Sequence, residues 1–201
     1  KVATMMPKPI SMDSGSGMHT NVSLWKNDKN TFFDKDEDLE LSQTGRYFCG
    51  GIISHAKALT AITNPTTNSY HRLVPGYEAP VYISWAAVNR SDLIRVPAYK
   101  PGYDSSVRIE YRAPDPACNP YLAFSVMLAA GLKGIELEYP IPTPVEGNVF
   151  AMTAEERAAR DIRTLPGSLG EALAIAEDSS LLRETLGDQT FSSFIKNKKI
   201  Q

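Results

Sequence analysis

Ser14 to Leu24, SGSGMHTNVSL, runs a glycine-punctuated turn straight into an alternating segment. Side chains two apart in a strand share a face, so His19, Asn21 and Ser23 point one way and Met18, Thr20, Val22 and Leu24 the other. One face packs; the other carries groups able to do chemistry. Near Arg108 the arrangement recurs, with Arg108, Glu110 and Arg112 alternating with Val107, Ile109 and Tyr111. A half-buried strand ordinarily shows water a mixed polar face. Two guanidiniums around one carboxylate, beside a histidine-bearing strand, instead suit an anionic, metal-bound ligand.

A third polar region lies between them, NPTTNSYHRLVPGYEAPVYISWAAVNRSDLIRVP. Pro75-Gly76 and Pro80 flank Tyr77 and Glu78, giving a proline-bounded loop with one carboxylate near its tip. Such a loop is either a surface excursion or a placed acid. Arg72, Arg90 and Arg95 read either as ordinary surface charges or, at strand ends near an Arg-Glu-Arg strand, as a phosphate or carboxylate clamp.

The elements that must hold these groups follow from periodicity and punctuation. The opening KVATMMPKPI lacks an initiator methionine and reads as a strand already under way before Pro7 and Pro9, so a piece of a longer protein is expected. Residues 25–41 read as a strand end and an acidic surface loop; the run from Asp34 to Glu40 lacks the glycine-bent spacing of a calcium loop. From Ser42 to Ile62, an apolar stripe of Tyr47, Phe48, Ile52, Ile53, Ala56, Leu59 and Ile62 predicts a helix stopped by Asn64-Pro65. Residues 81–88 predict a strand, 89–92 a turn and 93–96 a return strand. Asn119 and Pro120 open a helix to about Leu132 that should be the most buried one. Thr153 with Glu156 and Ser168 with Glu171 match the capping-box spacing, and Gly187 should close the segment starting at Ser180.

Composition sets outer bounds. The 201 residues are 42% hydrophobic and 22% charged, enough to bury a core. A net charge of −2 argues against a nucleic-acid or membrane surface as main partner. Apolar runs fall short of the ~20 residues that span a bilayer, and no signal-peptide pattern is present, so the cytoplasm is the default. Cys49 and Cys118 stand far apart without CxxC partners and read as reduced, buried thiols.

The ordered strings MPKPI, SGSGMHTNVSL, NPTTNSYHRLVPGYEAPV, NRSDLIRVP, RIEYRAPDPACNPYLAF and LPGSLGEAL resemble the catalytic domain of glutamine synthetase from Met5 to about Leu186. The resemblance implies an α+β fold: a curved, mainly antiparallel sheet backed by helices, with a sheet-and-helix core over 1–140 and a helical C-terminal region over 141–201. It implies ATP-dependent ligation of ammonia to the γ-carboxylate of glutamate through a γ-glutamyl phosphate. His19 and Glu110 would ligate a Mg2+ or Mn2+ ion, Gly15 would meet the substrate amino group, and Arg72 and Arg112 would hold glutamate carboxylates. Arg90 and Arg95 would sit on the phosphates, Ser23 and Arg108 on the nucleotide side, and Glu78 on a closing flap that helps take a proton from ammonium. A large homo-oligomer of stacked rings, with sites shared between neighbouring subunits, is implied as well.

Departures from the family pattern have consequences of their own. Ser14 replaces an asparagine, Asn21 replaces a second histidine, and Asp104, Ser105 and Ser106 stand where a lysine precedes the RIE strand. Phe150 replaces the tyrosine that some bacterial members adenylylate, which closes that control route. The family's N-terminal half, which bears further glutamate ligands, is not in these residues, so no turnover is expected from them alone. A γ-glutamyl-amine ligase acting on a larger amine, or a non-catalytic paralogue or fragment, is the alternative reading.

Overall fold

In the computed structural model, which describes residues 3–87, 91–98, 102–145 and 147–200, the predicted start and stop signals set the frame. The chain forms β1 (Thr20–Val22), a hairpin of β2 (Trp25–Lys26) and β3 (Lys29–Asn30), α1 (Gln43–Thr63) and the short α2 (Thr67–Arg72). Next come β4 (Trp85–Ala86), β5 (Ile94–Arg95), β6 (Ile109–Tyr111), α3 (Pro120–Glu136), α4 (Ala154–Ala159), α5 (Leu169–Glu177) and α6 (Ser180–Lys198). No described helix is long and apolar enough to cross a membrane.

Caps explain the helix boundaries. The Ser42 hydroxyl accepts from Gly45 N to start α1, and Asn119 accepts from Tyr121 N ahead of Pro120 to start α3. Thr153 and Glu156 form a reciprocal capping box. At α5 only half of the expected box closes, because Glu171 accepts from Gly167 N at 2.9 Å rather than from the capping residue. Gly187 interrupts α6 with φ 73° and ψ 152°, and helix resumes beyond it, so it divides the segment instead of ending it.

Four strands form one sheet in the order β1-β6-β5-β4. β1 and β5 flank β6 antiparallel, which puts the two polar strands side by side. The expected return strand is corrected: β5 runs parallel to β4, with Trp85 opposite Ile94. Both Leu93 N and Ile94 N donate to the Ser84 carbonyl, at 3.1 and 3.2 Å, and a parallel pair cannot be a simple hairpin. The predicted strand at residues 3–6 is also absent. Residues 3–6 are all exposed, so they bury no apolar face.

Helix α1 packs across α3 and α5, and α3 also packs on α6. One apolar cluster runs from Phe32 through Trp85 and Tyr111 to Ile195, so the C-terminal helices share the core of the sheet. The α1–α3 crossing is close: a Cβ at Gly51 would stand 2.1 Å from the Ala130 carbonyl oxygen. The most buried helix is therefore α1, not α3. On α3, Tyr121, Phe124, Leu128 and Leu132 are exposed.

Candidate active site

Cross-strand register builds the site. Asn21 lies opposite Glu110 on β1–β6, and Arg95 lies opposite Glu110 on β5–β6, so the three form one row across the sheet. His19 and Arg112, two residues from Asn21 and Glu110, extend the same face. The expected convergence of His19 and Glu110 is present: Glu110 Oε1 is 3.1 Å from His19 Nδ1 and accepts from Arg112 Nη1 at 3.0 Å. Its other oxygen, Oε2, lies 2.6 Å from Arg95 Nε, yet it is buried without an aligned hydrogen bond. The Glu110 carboxylate is 7% exposed, so one buried negative charge faces two guanidiniums.

The surplus positive charge shapes the histidine. Burial above all, and then the field of Arg112, lowers His19 to about 4, against the opposing pull of Glu110. At neutral pH the imidazole is uncharged and keeps a lone pair for a cation. Arg112 is also lowered by burial, with the charges of Glu110 and of Glu78 acting the other way. Glu78 is thus near enough for its charge to act on Arg112. It is exposed, in the turn after Gly76, with its backbone in the left-handed region at φ 56°.

Gly15 and Gly17 wrap the turn against the cluster. A Cβ at Gly17 would lie 2.6 Å from both Arg72 Nη2 and His19 Nε2, and one at Gly15 would lie 2.6 Å from the Pro7 carbonyl oxygen. Arg72 is 3% exposed and already donates to the Ala113 and Arg112 carbonyls, at 2.7 and 3.1 Å. Burial lowers it to about 10, with the charge of Asp115 opposing. Arg108 and Ser23 stand further along the polar face of β1 and β6. Arg108 Nε donates to Asn21 Oδ1 at 2.9 Å, and the Ser23 hydroxyl accepts from Trp25 Nε1 at 3.0 Å. Arg90 lies outside the described residues.

Two parts of the site escaped the sequence reading. Asn64, read only as a helix stop, donates to the Ala113 carbonyl at 2.8 Å and to Asp115 Oδ2 at 2.9 Å. This fixes the carbonyl that Arg72 also uses. Lys8 is the second, buried under the Tyr77 ring. The signal for both was a polar residue in an otherwise stiff, proline-rich string. Beside the turn after Gly76, Glu78, Trp85, Ala86, Val145 and Phe150 line a cleft of about 1030 Å³ that adjoins β4.

Comparison with known proteins bears on the whole chain. Residues 1–201 match the family model for "Glutamine synthetase, catalytic domain". The glutamine synthetase of Thermotoga maritima is 53% identical over 194 residues, covering 96% of this chain and 44% of that protein. That of Methanosarcina mazei is 50% identical over 199 residues, covering 99% of this chain and 44% of the other. Among solved structures, "GmaS/ADP complex-Conformation 1" aligns with a TM-score of 0.86 at 36% identity, over 98% of this chain and 44% of its own. "CryoEM Plasmodium falciparum glutamine synthetase" aligns with a TM-score of 0.83 at 32% identity, over 98% and 46%. The chain thus spans under half the length of these relatives, and it belongs to the glutamine synthetase catalytic-domain family.

Proposed function

We propose that the protein containing this chain ligates ammonia to the γ-carboxylate of glutamate at the expense of ATP. The observation that carries the reading is the Glu110 carboxylate held between His19, Arg95 and Arg112. Such a cluster has one carboxylate for two fixed cations, and it is completed by an anionic ligand that brings its own counter-ion.

The donor set fits a divalent ion in part. Two ligands about 2.1 Å from one ion, at right angles, stand about 3 Å apart, as His19 Nδ1 and Glu110 Oε1 do. Glu110 Oε2 remains buried without a hydrogen bond. His19 and Glu110 would hold Mg2+ or Mn2+. The ion would supply charge neutralisation on phosphate oxygens.

In this reading, the γ-phosphoryl group of ATP passes to the glutamate γ-carboxylate and ADP leaves. Ammonia then attacks the acyl carbon, the carbon–oxygen bond to phosphate breaks, and phosphate departs. Arg95, with Arg90, neutralises the transferring oxygens; Arg112 and Arg72 hold glutamate carboxylates through forked contacts, and Gly15 leaves room for the amino group. Ser23 and Arg108 flank the nucleotide; the use of ATP is supported by the 36% identical structure named as an ADP complex. Glu78 takes a proton from ammonium as its loop closes. The protein acts in the cytoplasm as a homo-oligomer of stacked rings, in which a neighbouring subunit completes each site.

The test is a coupled assay on the protein that carries this chain, with glutamate, ATP and either ammonium or methylamine. Ammonium-dependent phosphate release matched by glutamine is the expected result, and release with neither amine refutes the reading. Preference for methylamine would redirect it to a γ-glutamyl-amine ligase. Residues 1–201 alone should give no turnover.

A further inference from the structure

We propose that Lys8 is a positioning residue that latches the loop carrying Glu78 to the turn at residues 13–17. The functional consequence rests on the reading of Glu78 as the residue that closes over the site.

Lys8 is 6% exposed, and among the described residues its ammonium makes no ion pair with a carboxylate. It has two partners instead. Nζ lies 3.7 Å from the centre of the Tyr77 ring and donates to the Asp13 carbonyl. Burying an ammonium without an acid is costly, and a methionine or leucine would fill the same space without that cost. The charge is therefore used, and what it touches are two walls of the site. On one side is the carbonyl that opens the glycine turn; on the other is the aromatic residue immediately before Glu78.

Around Lys8 the backbone is fixed. Lys8 N donates to Asn68 Oδ1 at 2.7 Å, and Asn68 Nδ2 returns a bond to the Lys8 carbonyl at 3.1 Å, tying this segment to α2. Ser16 N donates to the Pro7 carbonyl at 2.8 Å, tying it to the glycine turn. Among the described residues, the loop it reaches has no comparable hydrogen-bonded anchor at its tip. Leu73 and Ala79 are buried at its two ends, while Pro75, Gly76 and Glu78 are exposed, with Gly76 at φ 95° and Glu78 at φ 56°. Both neighbours of Tyr77 have positive φ, so holding the Tyr77 ring restrains the short stretch of backbone that carries Glu78. A cation over that ring holds it in a desolvated place, where the attraction is strongest.

Amide exchange across residues 74–79 of the full protein tests the latch without any need for activity. Lys8→Met and Tyr77→Leu should each speed exchange there about tenfold, and the double variant should go no further than either. Lys8→Arg, which keeps a cation over the ring, and Tyr77→Phe, which keeps the ring, should match the parent. Exchange in α1 and α3 should be unchanged throughout. In the coupled assay, glutamine formed per ATP hydrolysed should fall about tenfold in Lys8→Met and recover in Lys8→Arg. Parent-like loop exchange in Lys8→Met overturns the proposal, as does equal acceleration in α1 and α3. If the parent itself lacks ligase activity, the functional reading fails while the exchange data still decide the latch.

Discussion

Glu110 Oε1 stands 3.1 Å from His19 Nδ1 and 3.0 Å from Arg112 Nη1, so a single oxygen joins the two polar strands. Its partner oxygen faces Arg95 at 2.6 Å. Removing the charge while keeping the shape, as in Glu110→Gln, leaves two guanidiniums without their counter-charge in a largely buried place. A loss of about 2 kcal/mol is expected in urea unfolding, together with loss of Mn2+ binding by the full protein. An unchanged unfolding midpoint would show that the arginines are neutralised elsewhere.

His55 should make the fold acid-sensitive. Its Nε2 is buried without a partner, its ring stacks 6.1 Å from Tyr139, and burial, then the Lys133 charge, lowers its pKa below the ordinary 6.5. The unfolded chain therefore takes up the proton first as pH falls below about 6.5, so stability is complete above that value and declines beneath it. His55→Phe should reduce the difference in unfolding midpoint between pH 7.5 and pH 5.5 relative to the parent. Equal differences in both proteins would refute this.

The α1–α3 crossing should discriminate sharply between glycines. Gly51→Ala drives a methyl to 2.1 Å from the Ala130 carbonyl oxygen and 2.9 Å from the Gly134 Cα. A destabilisation of about 3 kcal/mol is expected despite the better helix propensity of alanine. At Gly170, in α5, the nearest atom is 4.0 Å away, and Gly170→Ala should stabilise by about 0.5 kcal/mol. Thermal melts of the two variants should move in opposite directions.

Glu78 and Arg72 should separate kinetically. In the full protein, Glu78→Ala should depress amide formation far more than ATP binding, with phosphate still released by hydrolysis of the unshielded intermediate. Glu78→Gly should do the same without lowering the melting temperature, because it relieves a left-handed residue. Arg72→Ala should raise the KM for glutamate and also lower the melting temperature, since it takes away the side-chain donor to the Arg112 carbonyl and one of two to the Ala113 carbonyl. Parent-rate synthesis by Glu78→Ala would leave that loop as a surface excursion.

The legible features were those with a local signature. Asn119 and Thr153 cap as predicted, and period-two alternation at His19 and Glu110 put both on one face. The β2–β3 hairpin was missed because its turn, Asn27-Asp28, has no glycine, although both residues adopt positive φ of 51° and 59°. Helix α2 was missed because Pro65 to Asn68 are loop-forming types; their order nonetheless makes a capping box from Thr66 and Ser69. Lys8 was harder to read than its proline-flanked string suggests, since its backbone partner Asn68 is 60 positions away.

The pairing of β1 with β6 also has a temporal side. Asn21 and Arg108 are 87 positions apart, and His19 and Arg112 are 93 apart. At roughly 5–20 residues per second of synthesis, His19 leaves the ribosome about 5–20 s before its acidic partner. For those seconds β1 is an unpaired edge, open to a neighbouring nascent chain, while α1 can already form from its own Ser42 cap. A three-residue strand with an exposed Asn21 at its centre makes a poor template, and that brevity guards the site until its other half arrives.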